Sequence, residues 1–123
     1  MNLYGDAGRS WRIFFWLATA FNFVIGLAGM LVPESSVDAR IIGLLVFAFG
    51  LVYLIVASDP LRYGTVLWAG ILGKVGVVAL LGPKELASGA DPLILAVLAG
   101  DALFALGFLV FLFTRADPAA NNS

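Results

Sequence analysis

The feature that most restricts this chain is a lysine set inside an apolar run. The segment GILGKVG, Gly70 to Gly76, lies within the stretch Leu61 to Leu81, and Lys74 sits beyond its middle. A stretch of about 20 mainly apolar residues is what a helix needs to cross the hydrocarbon core of a bilayer. A charge at such a depth costs about 3 kcal/mol on insertion scales, so it calls for a partner. The other charge deep in an apolar run is Asp101, in AGDALF. Lys74 and Asp101 are therefore expected to pair.

Composition places the whole chain in the same class. Of its 123 residues, 62% are hydrophobic and 12% charged, more apolar surface than a soluble domain of this size can hide. The length fits one domain. A net charge of -1 gives no sign of a nucleic-acid partner. The chain has no cysteine and no histidine. This removes disulfides and thiolate chemistry, and it takes away the ligands for haem, chlorophyll or metal centres. No cofactor is expected.

Four spans are predicted, at about 11–32, 39–57, 61–81 and 92–114, with a disordered tail at 115–123. Ser10 is read as the N-cap of a helix opening at Trp11, and Pro33 as its end. Arg9 and Arg12 followed by an apolar run look like the start of a signal peptide. The run to Val32 is too long for a cleaved segment, so it is read as an uncleaved anchor that is also the first span. Asp59-Pro60 and Asp91-Pro92 are cap-and-proline starts, and Gly82-Pro83 is read as the end of the third span, before a loop KELASGAD.

Short connections make neighbouring helices antiparallel. The expected fold class is all-α, a membrane-embedded up-down-up-down four-helix bundle forming a single transmembrane domain, residues 1–123. Arg9, Arg12, Arg62 and Arg115 would share one side with both termini, against Arg40 and Lys84 on the other. That bias, with Trp11, Trp16, Tyr53, Tyr63 and Trp68 in the same half, predicts cytoplasmic termini.

Span two, GLLVFAFGLVYL from Gly43, echoes span four, GDALFALGFLVF from Gly100. Gly43, Phe47, Ala48 and Gly50 match Gly100, Phe104, Ala105 and Gly107, and Pro33 matches Pro83. This predicts two hairpins related by a pseudo-twofold axis along the membrane normal. Chance likeness between Gly/Phe/Leu-rich spans is the alternative.

Small residues bring membrane helices together, since lipid is as apolar as leucine. The candidates are Ala18 and Gly26 flanking Asn22 in span one, Ala69 with Gly70, Gly73 and Gly76 in span three, and Ala96 with Gly100 in span four. At a rise of about 1.5 Å per residue, Lys74, Asp101 and Asn22 lie roughly 10, 14 and 15 Å below the outer ends of their spans. They form one candidate intramembrane polar site. Tyr53 lies deeper and is a separate candidate. The arrangement reads either as a buried ion pair that fixes helix register or as a site for a polar group or a proton. A single pair lacks the chain of carboxylates that a pump would use, and four spans are few to enclose a retinal on Lys74.

The residues Asn22 and Gly26 of FNFVIG, GLVYL around Tyr53, Arg62 after Pro60, Gly73-Lys74, and Asp101 followed by Phe104 and Phe108 carry a resemblance. The chain resembles a largely uncharacterised family of small bacterial four-span integral membrane proteins. More loosely it is similar to DoxX-like four-helix proteins, some of them subunits of quinone-linked membrane oxidoreductases. The resemblance implies a bacterial inner-membrane location, a four-helix fold and a polar cluster. The expected function is that of a non-enzymatic membrane protein, an accessory subunit of a complex or a homo-oligomer. The alternatives are a carrier of a small lipophilic molecule such as a quinone, or a proton-coupled transporter, using the Lys74–Asp101 layer. No motif supports an enzyme.

Overall fold

The computed structural model describes residues 8–33, 36–89 and 91–115. Among them the fold is all-α, with no strand. Its elements are α1 (Arg9–Leu31), α2 (Val37–Ser58), the single turn α3 (Pro60–Tyr63), a 3₁₀ turn (Gly64–Val66), α4 (Leu67–Ala87) and α5 (Pro92–Thr114). Counting Pro60–Ala87 as one span, four helices are long and apolar enough to cross a membrane. The expected tail lies outside the described residues, apart from Arg115.

The helix ends follow local chemistry, with three departures from expectation. The first helix opens at Arg9, so Ser10 is inside its first turn rather than capping it. Gly8 precedes it at φ 84, a conformation that glycine adopts freely and that lets the chain turn into the helix two residues early. At the other end Val32 is extended, at φ -61 and ψ 125, because the ring of Pro33 disfavours a helical residue before it. The Ser36 hydroxyl accepts from the Ala39 amide at 3.0 Å and starts α2. Asp59 and Asp91 cap as read: their carboxylates accept from Arg62 N at 3.4 Å and Leu93 N at 2.9 Å, with Pro60 and Pro92 opening the helices.

The third span is the second departure. It does not run evenly from Leu61. Gly64, Thr65 and Val66 combine poor helix formers, and there the coil tightens into a 3₁₀ turn. Nor does Gly82-Pro83 end it, which is the third departure: Pro83 lies within α4, and Lys84 to Ala87 remain helical. The residue ahead of a proline is normally kept from the helical region by a clash that involves its Cβ, and glycine has none. The real stop is Ser88-Gly89. The Ser88 amide and hydroxyl both donate to the Lys84 carbonyl, at 3.1 and 2.9 Å, and Gly89 takes φ 88.

The chain divides into two compact units. The first is residues 1–64 with 115–123, and among described residues it is chiefly the α1–α2 hairpin with α3. The second is Thr65–Thr114, the α4–α5 hairpin.

In the first hairpin glycine faces glycine. A Cβ on Gly26 would lie 2.5 Å from the Phe47 backbone nitrogen and 2.7 Å from the Gly43 carbonyl oxygen. A Cβ on Gly43 would lie 2.7 Å from the Gly26 carbonyl oxygen. The two backbones touch here, which is how helices gain van der Waals contact without a hydrophobic drive between them. One turn away Phe23 stacks on Phe47, with centroids 4.6 Å apart, and the ring of Phe23 fills the space that a side chain on Gly50 would need. At the open end, Arg12 reaches across and its Nη2 donates to the Ser58 carbonyl at 2.9 Å. That carbonyl belongs to the last turn of α2, where carbonyls lack helical partners.

The second hairpin is built differently. Leu67, Gly70, Ile71 and Lys74 form the buried stripe of α4, at helical spacing. Leu98, Ala105, Phe108 and Phe111 form that of α5. Trp68 meets Phe113 edge to face at 5.9 Å. Gly73 and Gly76, expected to pack helices, would have nothing within 4 Å of an added Cβ. Ala69 and Ala96 are exposed. Bulky side chains and the ion pair take the place that paired glycines hold in α1–α2. The echo between spans two and four therefore does not extend to a shared packing scheme, and Pro33 lies outside a helix where Pro83 lies within one.

Candidate polar site

Lys74 falls on the buried stripe of α4 because it follows Gly70 by four residues and Ile71 by three. Asp101 follows Leu98 by three and precedes Ala105 by four, which puts it on the buried stripe of α5. The antiparallel hairpin then brings the two to one level. Lys74 Nζ donates to Asp101 Oδ1 at 2.8 Å, in the short range of a charge-assisted hydrogen bond. The lysine side chain is 6% exposed and the aspartate side chain 13%. The ammonium also lies 5.6 Å from the centroid of Phe104, one helical turn beyond Asp101. A ring face so placed adds cation–π attraction to the ion pair. Phe108 follows Phe104 with centroids 6.3 Å apart, extending the aromatic wall along α5.

The four candidate polar residues are distributed over both units. Lys74 and Asp101 are brought into direct contact in the second. Asn22 is in the first, 4% exposed, and its amide Nδ2 donates to the Val46 carbonyl at 3.0 Å. A helix carbonyl has a second lone pair, so Asn22 can tie α1 to α2 without breaking the α2 ladder. Tyr53 is also in the first unit, 1% exposed, with its ring 6.3 Å from Phe49. Gly26 lies on the buried stripe of α1 with Ala18 and Asn22 and sits against the α2 backbone. Gly70 is buried on the lysine stripe, and Gly100, beside Asp101, is half-buried.

Several contributors escaped the sequence reading. Gly43 enters only through the echo, and Gly50 through the echo and GLVYL, although their seven-residue spacing marks one face of α2. Phe104 enters through the echo and the resemblance but not as a neighbour of Lys74, although its place three residues beyond Asp101 puts it on the same face. The Arg12 bond to Ser58 had no signal, because it depends on where two distant helix ends meet.

Chemically the site is an internally satisfied pair of opposite charges beside aromatic rings. Among the described residues no group of three carboxylates, histidines or cysteines gathers that could hold a metal ion. Compared with models of protein families, with curated proteins and with solved structures, the chain finds no match.

Proposed function

We propose that this chain is a non-enzymatic multi-pass membrane protein, acting as an accessory or structural subunit of a membrane complex or as a homo-oligomer. The observation that carries the reading is the Lys74–Asp101 contact, in which the deep charges satisfy each other at 2.8 Å and fasten α4 to α5. A pair used in this way holds helix register rather than doing chemistry. Wide apolar faces support the same reading: Leu72 and Leu80 of α4 are 76% and 83% exposed, and Leu103 and Phe113 of α5 are exposed as well. Such faces suit lipid or the helices of a partner. The arginine bias supports cytoplasmic termini, and the resemblance to bacterial four-span proteins supports an inner-membrane location.

A second reading, binding of a small lipophilic molecule such as a quinone at the pair, is favoured by the uneven burial of its members. Asp101 keeps more accessible surface than Lys74, so a polar group of a ligand could reach the carboxylate. The loose likeness to DoxX-like proteins points the same way.

Native mass spectrometry after gentle extraction from the source membrane separates the two. A stoichiometric protein partner, or a defined multiple of the chain, supports the subunit reading. A bound small molecule that is lost from the Lys74→Met variant supports the carrier. A bare monomer with neither contradicts both.

A further inference from the structure

The first hairpin ends in a cluster of arginines that the ion-pair chemistry leaves unused. Arg9, Arg12 and Trp16 follow one another at three- and four-residue spacing and so share one face of α1. All three are exposed, Trp16 at 52%. The bond from Arg12 to the Ser58 carbonyl sets this face beside the end of α2. There the chain turns through Asp59 and Pro60 into α3, which presents exposed Arg62. The Arg62 guanidinium carbon lies 5.2 Å from the centroid of Tyr63. The acid at this end, among the described residues, is Asp59, one of whose oxygens accepts from the Arg62 backbone amide at 3.4 Å. Among the described residues none of the three arginines has a carboxylate partner.

We propose that this end of the first hairpin binds the phosphate headgroup of an anionic phospholipid. Arginine presents a planar fork of N–H donors that matches phosphate oxygens, and Arg12 is already anchored through one of its donors. Tryptophan and tyrosine are the side chains that settle at headgroup level. Trp16 lies about one helical turn, roughly 6 Å, further along α1 than Arg12, which is the depth of the acyl boundary below a headgroup. Two arginines from α1 and one from α3 thus lie at the same end of the hairpin, with Trp16 a turn further along α1 to mark the interface. The phosphate that fits is that of a lipid, because the same face that offers the charges also offers apolar surface to an acyl chain. The inference requires only that these helices span a bilayer, and it does not depend on a partner subunit.

The test is native mass spectrometry of the purified full chain with phosphatidylglycerol or phosphatidylcholine of equal chain length. The wild type should retain phosphatidylglycerol in preference to phosphatidylcholine. Each of Arg9→Gln and Arg62→Gln should lower that preference about fivefold, the factor that corresponds to ~1 kcal/mol per basic residue at an anionic surface. Arg12→Gln also removes the bond to Ser58, so it is read together with Arg12→Lys and with helicity by circular dichroism. Equal retention of the two lipids overturns the proposal, as does a preference unchanged in Arg9→Gln and Arg62→Gln. Retention of inorganic phosphate, supplied at millimolar concentration without lipid and lost in Arg9→Gln and Arg62→Gln, overturns the lipid assignment and identifies a free-phosphate site. Reconstitution into vesicles with protease-protected spans reports separately on whether the chain crosses the bilayer.

Discussion

Replacing Lys74 by Met and Asp101 by Leu, singly and together, measures what the pair contributes. The contact is 2.8 Å long, and the side chains are 6% and 13% exposed. Breaking a buried pair by removing one partner costs about 3–5 kcal/mol, because the other charge is stranded. The residual exposure of Asp101 puts the cost of losing Lys74 in the lower half of that range, about 3–4 kcal/mol. Loss of the ammonium over Phe104 adds to it, by about 0.5–2 kcal/mol. Methionine keeps most of the lysine stem, so little packing is lost. The double variant leaves no orphan charge and should be close to neutral, within about 1–2 kcal/mol of the wild type. With Lys74→Met at about 3.5–6 kcal/mol once the ring contact is included and Asp101→Leu at about 3–5 kcal/mol, two independent losses would sum to about 6.5–11 kcal/mol, so the coupling should be several kcal/mol. Helicity followed during titration of the micellar protein with a denaturing detergent gives the free energies. Ordinary hydrogen bonds between membrane helices couple by only about 0.6 kcal/mol on average. A coupling at or below that value, with the double variant as unstable as the summed singles, would refute a desolvated ion pair.

The glycines divide into two sets that the same assay separates. Gly26→Val and Gly43→Val should each destabilise by about 2–3 kcal/mol or more, because the added carbons meet backbone atoms that cannot yield. Gly73→Ala and Gly76→Ala should be neutral or stabilising by about 0.5–1 kcal/mol, since alanine has room and costs less entropy in a helix. Pro83→Ala should likewise keep or raise stability, because α4 already runs through that position, and a fall of more than about 1 kcal/mol would contradict this helix path. Cysteines at Ser36 and Ser88 should react with an impermeant maleimide from outside the cell, and one at Asn121 only after permeabilisation. Labelling of Asn121 in intact cells would reverse the orientation proposed.

The parts legible in the sequence are those set by short-range chemistry. Asp59-Pro60 and Asp91-Pro92 announce helix starts because a carboxylate cap and a fixed proline φ act within one turn. The pairing of Lys74 with Asp101 was legible because a lone charge in hydrocarbon is too costly to be left alone. What was hidden depends on competition or on distance. Pro83 reads as a stop, yet Gly82 lacks the Cβ that normally keeps the residue before a proline out of the helix, and the stop falls at Ser88-Gly89. Gly73 and Gly76 have the same spacing chemistry as glycines that do pack, but only the register of the hairpin decides which face meets a neighbour. Gly26 meets Gly43, while Gly73 and Gly76 meet nothing within 4 Å. Asn22 was placed at the depth of the ion pair by counting residues, and its bond to the Val46 carbonyl could not be read that way, because every helix carbonyl looks alike in a sequence.

Direct contact between Lys74 and Asp101 is most directly tested by solid-state nuclear magnetic resonance on the reconstituted chain. The lysine side chain is labelled with ¹⁵N and the aspartate carboxyl with ¹³C, and their dipolar coupling is measured in lipid bilayers. Lys74 Nζ at 2.8 Å from Asp101 Oδ1 predicts strong dephasing of the Asp101 carboxyl signal by ¹⁵N, and its loss in the Lys74→Met variant. A carboxyl signal that the lysine nitrogen does not dephase would contradict the pair and the proposal built on it.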